Sequence, residues 1–261
     1  MHSVLSPRWR KALGDLRQHG GRTTLAIAAI AIGIAAAGTI LNSWALVRIA
    51  TTDGYLASDP AAATIRVDAV DDVMLSLVRA FPGVRDVQAR RTTIARAQVA
   101  GATVTAMLFT VDPRESVRIG AVEWGNGVPP ADGTLTVERS SLGFSGAAIG
   151  ESVMLSIGDA PPAAIPIRAV ARDVGLAPGW MEHVLYAFVS QATLAQLGAP
   201  IALDELRVVF TDGSLDQAAV RALVFTLRIA IEGSGHVVRD VDVPVPGEHL
   251  HAAQMDSLLY T

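Results

Sequence analysis

The sequence predicts an α+β protein that begins with one membrane-spanning helix, and three observations lead to this class. Residues 23–47 contain no charged side chain and lie between Arg22 and Arg48. Alternating strands and amphipathic helices follow in the order β-α-β-β and, much later, β-α-β. The residues between these two sets are rich in glycine and proline and hold several short strand patterns, which predicts an inserted β-rich part.

The apolar run TTLAIAAIAIGIAAAGTILNSWALV extends from Thr23 to Val47. As a helix it would be about 37 Å long, which crosses a hydrocarbon core of about 30 Å with some tilt. A cleaved signal peptide is the alternative, but it would have a shorter apolar region that ends at a small-x-small site. We therefore expect an uncleaved transmembrane helix over residues 23–48.

Basic residues on the N-terminal side of this run determine its predicted orientation. Such residues resist translocation, so the N-terminus should stay in the cytoplasm and the main domain should lie outside. Residues 1–22 also show helical spacing of Trp9, Leu13 and Leu16, which predicts an amphipathic helix in the inner interface. A basic topology signal without defined structure is the alternative. The topology determinants are Arg8, Arg10, Lys11, Arg17 and Arg22.

Small residues form a strip along the predicted span. Gly33 and Ala37 make a small-xxx-small pair, and Gly38 and Asn42 lie on the adjoining strip. Small faces let helices approach closely in lipid, and an asparagine can hydrogen-bond across helices. We therefore predict that the span packs against other spans within membrane lipid, although an alanine-rich helix also shows such pairs through its composition alone.

The region beyond the span is predicted to contain two connected sets of elements. Residues 49–63 are small and polar and predict a linker. The β-α-β-β and β-α-β sets together predict a ferredoxin-like layout over residues 49–112 and 201–247. The predicted elements are strand Thr64–Val70, helix Asp71–Ala80, strands Val84–Val99 and Thr103–Val111 joined at Ala100-Gly101, strand Glu205–Thr211, a helix from Ser214 to Ile231 and strand His236–Val243.

Residues 113–200 are predicted to form an inserted β-rich subdomain. Glycine and proline punctuate short runs of strand-forming residues throughout this stretch. Its predicted elements are strands Thr134–Glu138, Ser152–Ile157, Ile165–Ala171 and Leu185–Val189 and one capped helix from Ser190 to Leu197.

Composition and motifs exclude several kinds of site. The net charge is -4 and no basic block follows the span, which argues against a nucleic-acid partner. The chain has no cysteine, so disulfides, thiolate zinc sites and cysteine nucleophiles are absent. Lys11 is the only lysine and no glycine-rich loop precedes it, so the chain carries no Walker-type nucleotide site.

The remaining candidate residues do not predict catalysis, a cofactor or a metal. His249 and His251 have ligand-like spacing, but a metal site needs further ligands in place. Asp68, Asp71 and Asp72 cluster at a strand-helix junction, where capping of the helix explains Asp71 and Asp72. No G-x-S-x-G elbow occurs. The serines Ser140, Ser141 and Ser145 are expected in a loop without a histidine nearby in sequence.

Three segments resemble permease subunits of ABC transporters in the MacB/FtsX superfamily. WRKALGDLRQHGGRTTLAIAAIAIGIAA is similar to the family's basic helix and first span, with its A-I-x-I-G-I-A signature. LTVERSSLGFSGAAIGESVMLSI is similar to its recurring insert segment, in which E-R-S precedes a G-[ED]-x-V-x-L strand. VPVPGEHLHAAQM is similar to the segment that returns the chain to the membrane, so residues 248–261 are expected to lead to a second span.

The resemblance implies a periplasmic core with a ferredoxin-like part and an inserted β part, held in a bacterial inner membrane. It also implies four spans, a separate cytoplasmic ATPase and, often, a permease dimer, with no catalytic residue in the permease itself. Because the sequence stops near the expected second span, we interpret it as the N-terminal part of such a permease. A stand-alone anchored binding or sensor module is the alternative, and an enzyme is the third hypothesis.

Overall fold

The computed structural model describes residues 20–112 and 116–248, and the chain divides into two compact units, residues 1–50 and 51–261. The first unit holds most of helix α1 (Gly20–Ala57), which has a mean hydropathy of 2.2 over its most apolar stretch. Among the described residues, α1 is the one helix long and apolar enough to cross a membrane. The predicted amphipathic helix within residues 1–22 and the predicted return segment lie almost entirely outside the described residues.

Helix α1 extends further than the sequence predicts. The expected linker over residues 49–63 is helical as far as Ala57, and the prediction was wrong there. No proline or cluster of glycines interrupts this stretch before Pro60, and Asp59 adopts a positive φ of 54° just beyond the helix end. The small polar residues after the apolar run therefore stay helical as far as Ala57, because no helix-terminating residue stands among them.

The described residues of the second unit form five further helices and eleven strands, which confirms the α+β class. The helices are α2 (Asp72–Arg79), α3 (Arg139–Ser145), α4 (Gly179–Glu182), α5 (Gln191–Gln196) and α6 (Gln217–Gly233). The strands are β1 (Ala63–Val67), β2 (Val84–Arg90), β3 (Thr92–Val99), β4 (Ala102–Val111), β5 (Glu123–Trp124), β6 (Leu135–Glu138), β7 (Ser152–Ser156), β8 (Ala163–Arg172), β9 (Val184–Ser190), β10 (Glu205–Phe210) and β11 (Val238–Asp242).

One sheet has four strands in the order β11-β1-β10-β2, and each neighbouring pair is antiparallel. Helices α2 and α6 pack on one of its faces through Met74, Val78, Val224 and Leu227, which join an apolar core with the inward side chains of the strands. Because side chains alternate along a strand, the residues between these core positions point to the opposite face. That face carries the charged residues described below.

The other sheet has seven strands in the order β5-β8-β6-β9-β4-β3-β7. Strand β7 also pairs with β8, so six of the strands close on themselves around an apolar core. Leu108, Leu135, Leu155, Ile167 and Leu185 are fully buried in that core. A second apolar cluster, built from Phe109, Tyr186 and Phe188 with Trp124 against it, lies outside the closed part.

The division between the two sheets differs from the predicted one. The sequence predicts a single strand over Val84–Val99 and an inserted part that begins at residue 113, whereas the structure breaks that strand at Arg91. Strand β2 belongs to the four-stranded sheet, and β3 and β4 belong to the seven-stranded sheet. Strand-forming residues run through the break without interruption, so local propensity gives no sign that the chain changes sheets.

Local turn and cap chemistry agrees with most of the predicted boundaries. The β3-β4 hairpin turns at Ala100 and Gly101, which both have positive φ, as a two-residue hairpin turn requires. Asp71 caps α2 by accepting a hydrogen bond from Met74 N at 2.7 Å. Ser190 caps α5 as predicted.

Two predicted boundaries were wrong. Helix α6 is capped by Asp216, which accepts from Ala219 N at 2.8 Å, and Ser214 instead donates to Asp212. The expected serine-containing loop is helix α3, which Glu138 caps.

Candidate functional site

The predicted membrane-contact residues all lie in α1, and the apolar stretch of this helix is not buried against any described part of the chain. No atom lies within 4 Å of where a Cβ would stand at Gly33 or Gly38. Gly33 and Gly38 of the small-residue strip therefore have open space beside them within the part of the chain that the structure describes, and packing of the strip against other spans stays a prediction. The predicted residues in α1 are Thr23, Gly33, Ala37, Gly38, Asn42 and Val47, with Arg22 in the first turn; Arg8, Arg10, Lys11 and Arg17 lie outside the described residues.

The C-terminal end of α1 is fixed within the second unit. Tyr55 is buried, and burial raises the pKa of its hydroxyl above the usual value. The Ser58 hydroxyl donates to Tyr55 O at 2.6 Å, which closes the last turn. Two backbone bonds then tie the following residues to a loop: Gly120 N donates to Asp59 O and Ala121 N donates to Ser58 O, both at 2.7 Å.

The four-stranded sheet carries a row of alternating charges on the face away from its helices. Asp240, Arg66, Glu205 and Arg90 are direct neighbours across the four strands. Glu205 is buried and lies 2.6 Å from Arg90 and 3.9 Å from Arg66, while Arg66 lies 2.6 Å from Asp240. Arg90 also stacks 4.8 Å from the ring centre of Phe109 in the seven-stranded sheet. This row, which we call the charge row, therefore connects the two sheets.

A second row runs parallel to the charge row and has a different composition. Its members across the strands are Asp242, Thr64, Arg207 and Gln88. Arg207 thus lies opposite a threonine and a glutamine, and no ion pair within 4.0 Å joins it to a carboxylate in residues 20–112 and 116–248. Its guanidinium donates one hydrogen bond, to Ile119 O at 2.5 Å.

The surroundings of Arg207 affect both its pKa and the space that its side chain occupies. Burial, followed by the positive charge of Arg90, lowers the pKa of Arg207 to about 10, while the carboxylates of Asp173 and Glu205 oppose this shift, so the group remains charged at neutral pH. Gly120 has a φ of +63°, and a Cβ at that position would lie 2.2 Å from the Arg207 guanidinium. The absence of a side chain at residue 120 therefore makes room for the arginine.

Two cavities lie next to Arg207. One has a volume of about 110 Å³ and the other about 190 Å³. Arg90, Asp173 and Arg207 border both cavities, so these side chains stand between them. The smaller cavity is also bordered by Thr110 and Phe188 of the seven-stranded sheet.

A loop next to this site is held against β2. Arg118 pairs with Asp86 at 2.8 Å, and this hydrogen bond holds the pKa of the Asp86 carboxyl below its usual value. Gln88 donates to Ser116 O at 3.0 Å and accepts from Arg118 N at 3.1 Å. The loop that bonds to the end of α1 is therefore also bonded to the four-stranded sheet.

The three serines noted in the sequence have structural hydrogen bonds. Ser140 donates to Glu138, the residue that caps α3. Ser141 Oγ accepts from Tyr186 N at 3.0 Å, and Ser145 Oγ donates to Ser141 O at 2.6 Å. These contacts link α3 to β9 and give the serines a packing role.

The histidines and aspartates do not form a metal centre in the described part of the chain. His236 lies 3.3 Å from Asp68 and 3.6 Å from Asp71, but Asp71 already caps α2. Within residues 20–112 and 116–248 no group of three or more metal-binding side chains has suitable geometry. His249 and His251 lie outside the described residues.

The two rows of polar residues were missed by the sequence analysis. Arg66, Arg90, Glu205 and Arg207 each occupy a polar position in an alternating strand, and such alternation is typical of a solvent-facing side. The signal was therefore present, but it indicated the wrong environment for Arg90, Glu205 and Arg207, whereas Arg66 is exposed as such a position predicts. Only the strand order and the position of the second sheet show that these residues face one another and border a cavity.

No family model matches the chain, and no curated protein matches it. Several solved structures are similar to it, and three of them are described here. The periplasmic region of MacB from Actinobacillus actinomycetemcomitans has 9% identity, a TM-score of 0.44 and coverage of 79% of this chain and 96% of that one. The extracellular domain of the noncanonic ABC-type transporter YknZ from Gram-positive bacteria has 10% identity and a TM-score of 0.44, and the match covers 68% of this chain and 100% of that one.

The third structure is a domain assigned to a permease protein from Porphyromonas gingivalis, with 10% identity, a TM-score of 0.39 and coverage of 76% of this chain and 94% of that one. At these identities, the role of this chain has to follow from its own residues.

Proposed function

We propose that this chain is the N-terminal part of an ABC transporter permease of the export or mechanotransmission type. One observation carries the proposal. Helix α1 continues without a break from the charge-free run to Ala57, and its last turns bury Tyr55 in the second unit, which we call the outer domain. A helix that ends in this way can transmit a displacement, whereas a flexible linker would absorb it.

The outer domain is proposed to have a ferredoxin-like part and an inserted β part. Elements β1-α2-β2 and β10-α6-β11 form the four-stranded sheet in the order β11-β1-β10-β2, which supports the first. All strands from β3 to β9 pair in the other sheet, which supports the second. When β3 and β4 are counted with this sheet, the proposed inserted part covers residues 92–200.

The proposed location is a bacterial inner membrane, with the N-terminus in the cytoplasm and the outer domain in the periplasm. The basic residues before the span support this orientation. Because the chain has no cysteine, one introduced thiol gives a unique label. In spheroplasts, a membrane-impermeant maleimide should label Asp132→Cys, an exposed position, and should label Ser3→Cys only after lysis. Labelling of Ser3→Cys in intact spheroplasts would reverse the orientation.

A separate cytoplasmic ATPase is proposed to supply the energy, since the chain has no Walker-type site. Motion of the membrane helices would then reach the outer domain through the end of α1. The bonds from residues 58 and 59 to the loop at Gly120 and Ala121 support this route, because the same loop is bonded to β2. The proposal also includes a permease dimer, because the family that the sequence resembles often forms one.

The coupling test uses the intact transporter that contains this chain and its ATPase. Two glycines inserted between Thr52 and Asp53 should interrupt α1, so that ATP hydrolysis continues while the outer domain no longer responds to ATP. A fluorophore at Asp132→Cys reports that response. The matched control places the same two glycines in the turn at Asn126-Gly127, where the response should persist. An unchanged response in the α1 insertion would refute the proposed route.

A further inference from the structure

We propose that Tyr55 is a positioning residue that sets how the two sheets of the outer domain meet, because its side chain lies against both of them. The assignment goes beyond the proposed transport role, since it concerns contacts inside the outer domain and holds whether or not an ATPase acts on the chain. Three properties of the described residues carry it: the burial of this ring at the end of α1, its contact with a loop of the seven-stranded sheet, and its place beside the four-stranded sheet.

The first property is the burial of Tyr55 in the last turns of α1. Tyr55 is 5% exposed, whereas Leu56, the next residue of the helix, is 45% exposed. An aromatic side chain buries about 150–250 Å² of surface, which is a large contact for one residue. Asp59, one turn further on, pairs with Arg85 of β2. The end of α1 is therefore held by side chains as well as by the backbone bonds of residues 58 and 59.

The second property is the contact between Tyr55 and the loop that follows β8. A Cβ at Gly175 would lie 3.7 Å from Cε2 of Tyr55, so the ring lies beside the loop where residue 175 has no side chain. Gly175 N donates to Asp173 Oδ1 at 2.8 Å, which fixes the shape of the loop. Leu176 of the same loop packs against the apolar cluster outside the closed part of the seven-stranded sheet. Through this loop, Tyr55 is in contact with that sheet.

The third property is the place of Tyr55 beside the four-stranded sheet. Together with Arg207 of β10 and Asp242 of β11, Tyr55 borders the cavity of about 190 Å³. Burial raises the pKa of the Tyr55 hydroxyl and the positive charge of Arg207 opposes that shift, so the hydroxyl lies within electrostatic reach of β10. Tyr55 also borders an apolar groove that is lined by Phe210, at the end of β10. The side chain thus stands against the four-stranded sheet as well.

A ring in this place restricts how the two sheets can move relative to each other. Each sheet has its own apolar core, so the relative position of the sheets depends on the contacts at their junction. Packed side chains interdigitate and leave few voids, so a large ring between two elements favours one arrangement of them. Loss of the ring leaves a space into which the surrounding groups relax only in part. Without Tyr55, the junction should therefore adopt several arrangements.

The test measures the distance between the sheets in the full chain, reconstituted in phosphatidylcholine nanodiscs without an ATPase. Because the chain has no cysteine, two spin labels can be placed at Ala222→Cys on α6 and at Asp132→Cys before β6, both exposed positions. Double electron–electron resonance should give one narrow distance distribution. Tyr55→Ala should broaden this distribution, and Tyr55→Phe, which keeps the ring, should preserve it. A narrow, unshifted distribution in Tyr55→Ala would overturn the proposal.

Leu56→Ala is the matched control, because it shortens an exposed side chain in the same turn of α1 and should leave the distance distribution unchanged. Unchanged fluorescence of Trp124 in each variant verifies that the seven-stranded sheet stays folded. Broadening in Leu56→Ala as large as that in Tyr55→Ala would contradict a specific role of the Tyr55 ring, and so would broadening in Tyr55→Phe.

A second variant tests the same contact from the side of the loop. Gly175→Leu places a side chain against the Tyr55 ring and should shift the distance distribution, whereas Gly213→Leu, which has open space around its Cβ, should not. In a Tyr55→Ala background, Gly175→Leu should cause a smaller shift, because the two residues act through one contact. Equal shifts in both backgrounds would overturn the proposal. None of these outcomes bears on coupling to an ATPase, because the measurement contains none.

Discussion

The four-stranded and seven-stranded sheets each bury one glutamate, and they satisfy it in different ways. Glu205 in the first sheet is 2% exposed and is paired with Arg90 and, at longer range, Arg66. Glu138 in the second sheet is 5% exposed and accepts hydrogen bonds from Ser140, with no arginine within ion-pair distance in the described residues. The four-stranded sheet therefore places paired charges at the junction between the two sheets. The seven-stranded sheet instead uses its buried glutamate as a helix cap.

From this difference we infer where the second unit can change shape. Each sheet has a separate apolar core, and opening either core would expose many buried side chains. The face between the sheets instead holds polar rows, cavities and the contact between Arg90 and Phe109. A contact of this kind contributes about 0.5–2 kcal/mol. We therefore expect a displacement of one sheet relative to the other to cost least at this junction.

The largest expected effect comes from removing the charge of Glu205. Glu205→Gln leaves Arg90 partly buried without its counter-ion, which should lower the free energy of unfolding by about 3 kcal/mol. Asp240→Asn, at the exposed end of the same row, should cost less than about 1 kcal/mol. Urea unfolding of the full chain in nanodiscs, followed through the fluorescence of Trp124 against Phe188, measures both. Equal costs would mean that the charge row does not act at the junction.

The second expected effect concerns the space for Arg207. Gly120→Ala introduces a side chain at positive φ and displaces the Arg207 guanidinium from Ile119 O, which should cost about 2 kcal/mol. Gly101→Ala also has a positive φ but open space around its Cβ, so it should cost about 1 kcal/mol. The same unfolding assay gives the difference between them. If the two variants lose the same free energy of unfolding, the space beside Gly120 is not needed for the position of Arg207.

Much of the fold could be predicted from local signals. The charge-free run predicted α1, Asp71 predicted the start of α2, and Ala100-Gly101 predicted the β3-β4 turn. These features depend on residues that are near one another in sequence, such as caps, turns and apolar periods. Local signals failed at Arg91, where the chain changes sheets while its strand propensity continues.

The candidate site could not be predicted in the same way. Arg207 and Thr110 are almost a hundred positions apart, and each is unremarkable within its own strand. Their proximity follows from the strand orders and from how the two sheets meet. The position of Arg207 between Thr64 and Gln88 depends on cross-strand register, and a single sequence does not fix register between distant strands.

A smaller effect tests the loop that joins the end of α1 to the four-stranded sheet. Arg118 lowers the pKa of Asp86, so the stability contributed by this pair is present above the unfolded pKa of about 3.9 and is lost as pH falls through the folded pKa. Asp86→Asn should therefore cost below about 1 kcal/mol at neutral pH, and nothing at strongly acidic pH. Unfolding measured across this range checks the sign. A pH-independent cost would show that the pair is not responsible.

The smallest effect is expected at Glu138 and has the opposite sign. Burial raises the pKa of this carboxyl, so its ionised form disfavours the folded state at neutral pH. As pH falls through the raised folded pKa towards the unfolded value of about 4.3, the native protein gains stability relative to a neutral variant. Glu138→Gln, which keeps an acceptor for Ser140 N, should thus be slightly more stable at pH 7, by below about 1 kcal/mol, and lose that advantage near pH 4. Glu151→Gln removes the same charge from an exposed position and controls for net charge. A Glu138→Gln protein that is less stable at pH 7 would mean that both sheets depend on a charged glutamate, and the contrast between them would be lost.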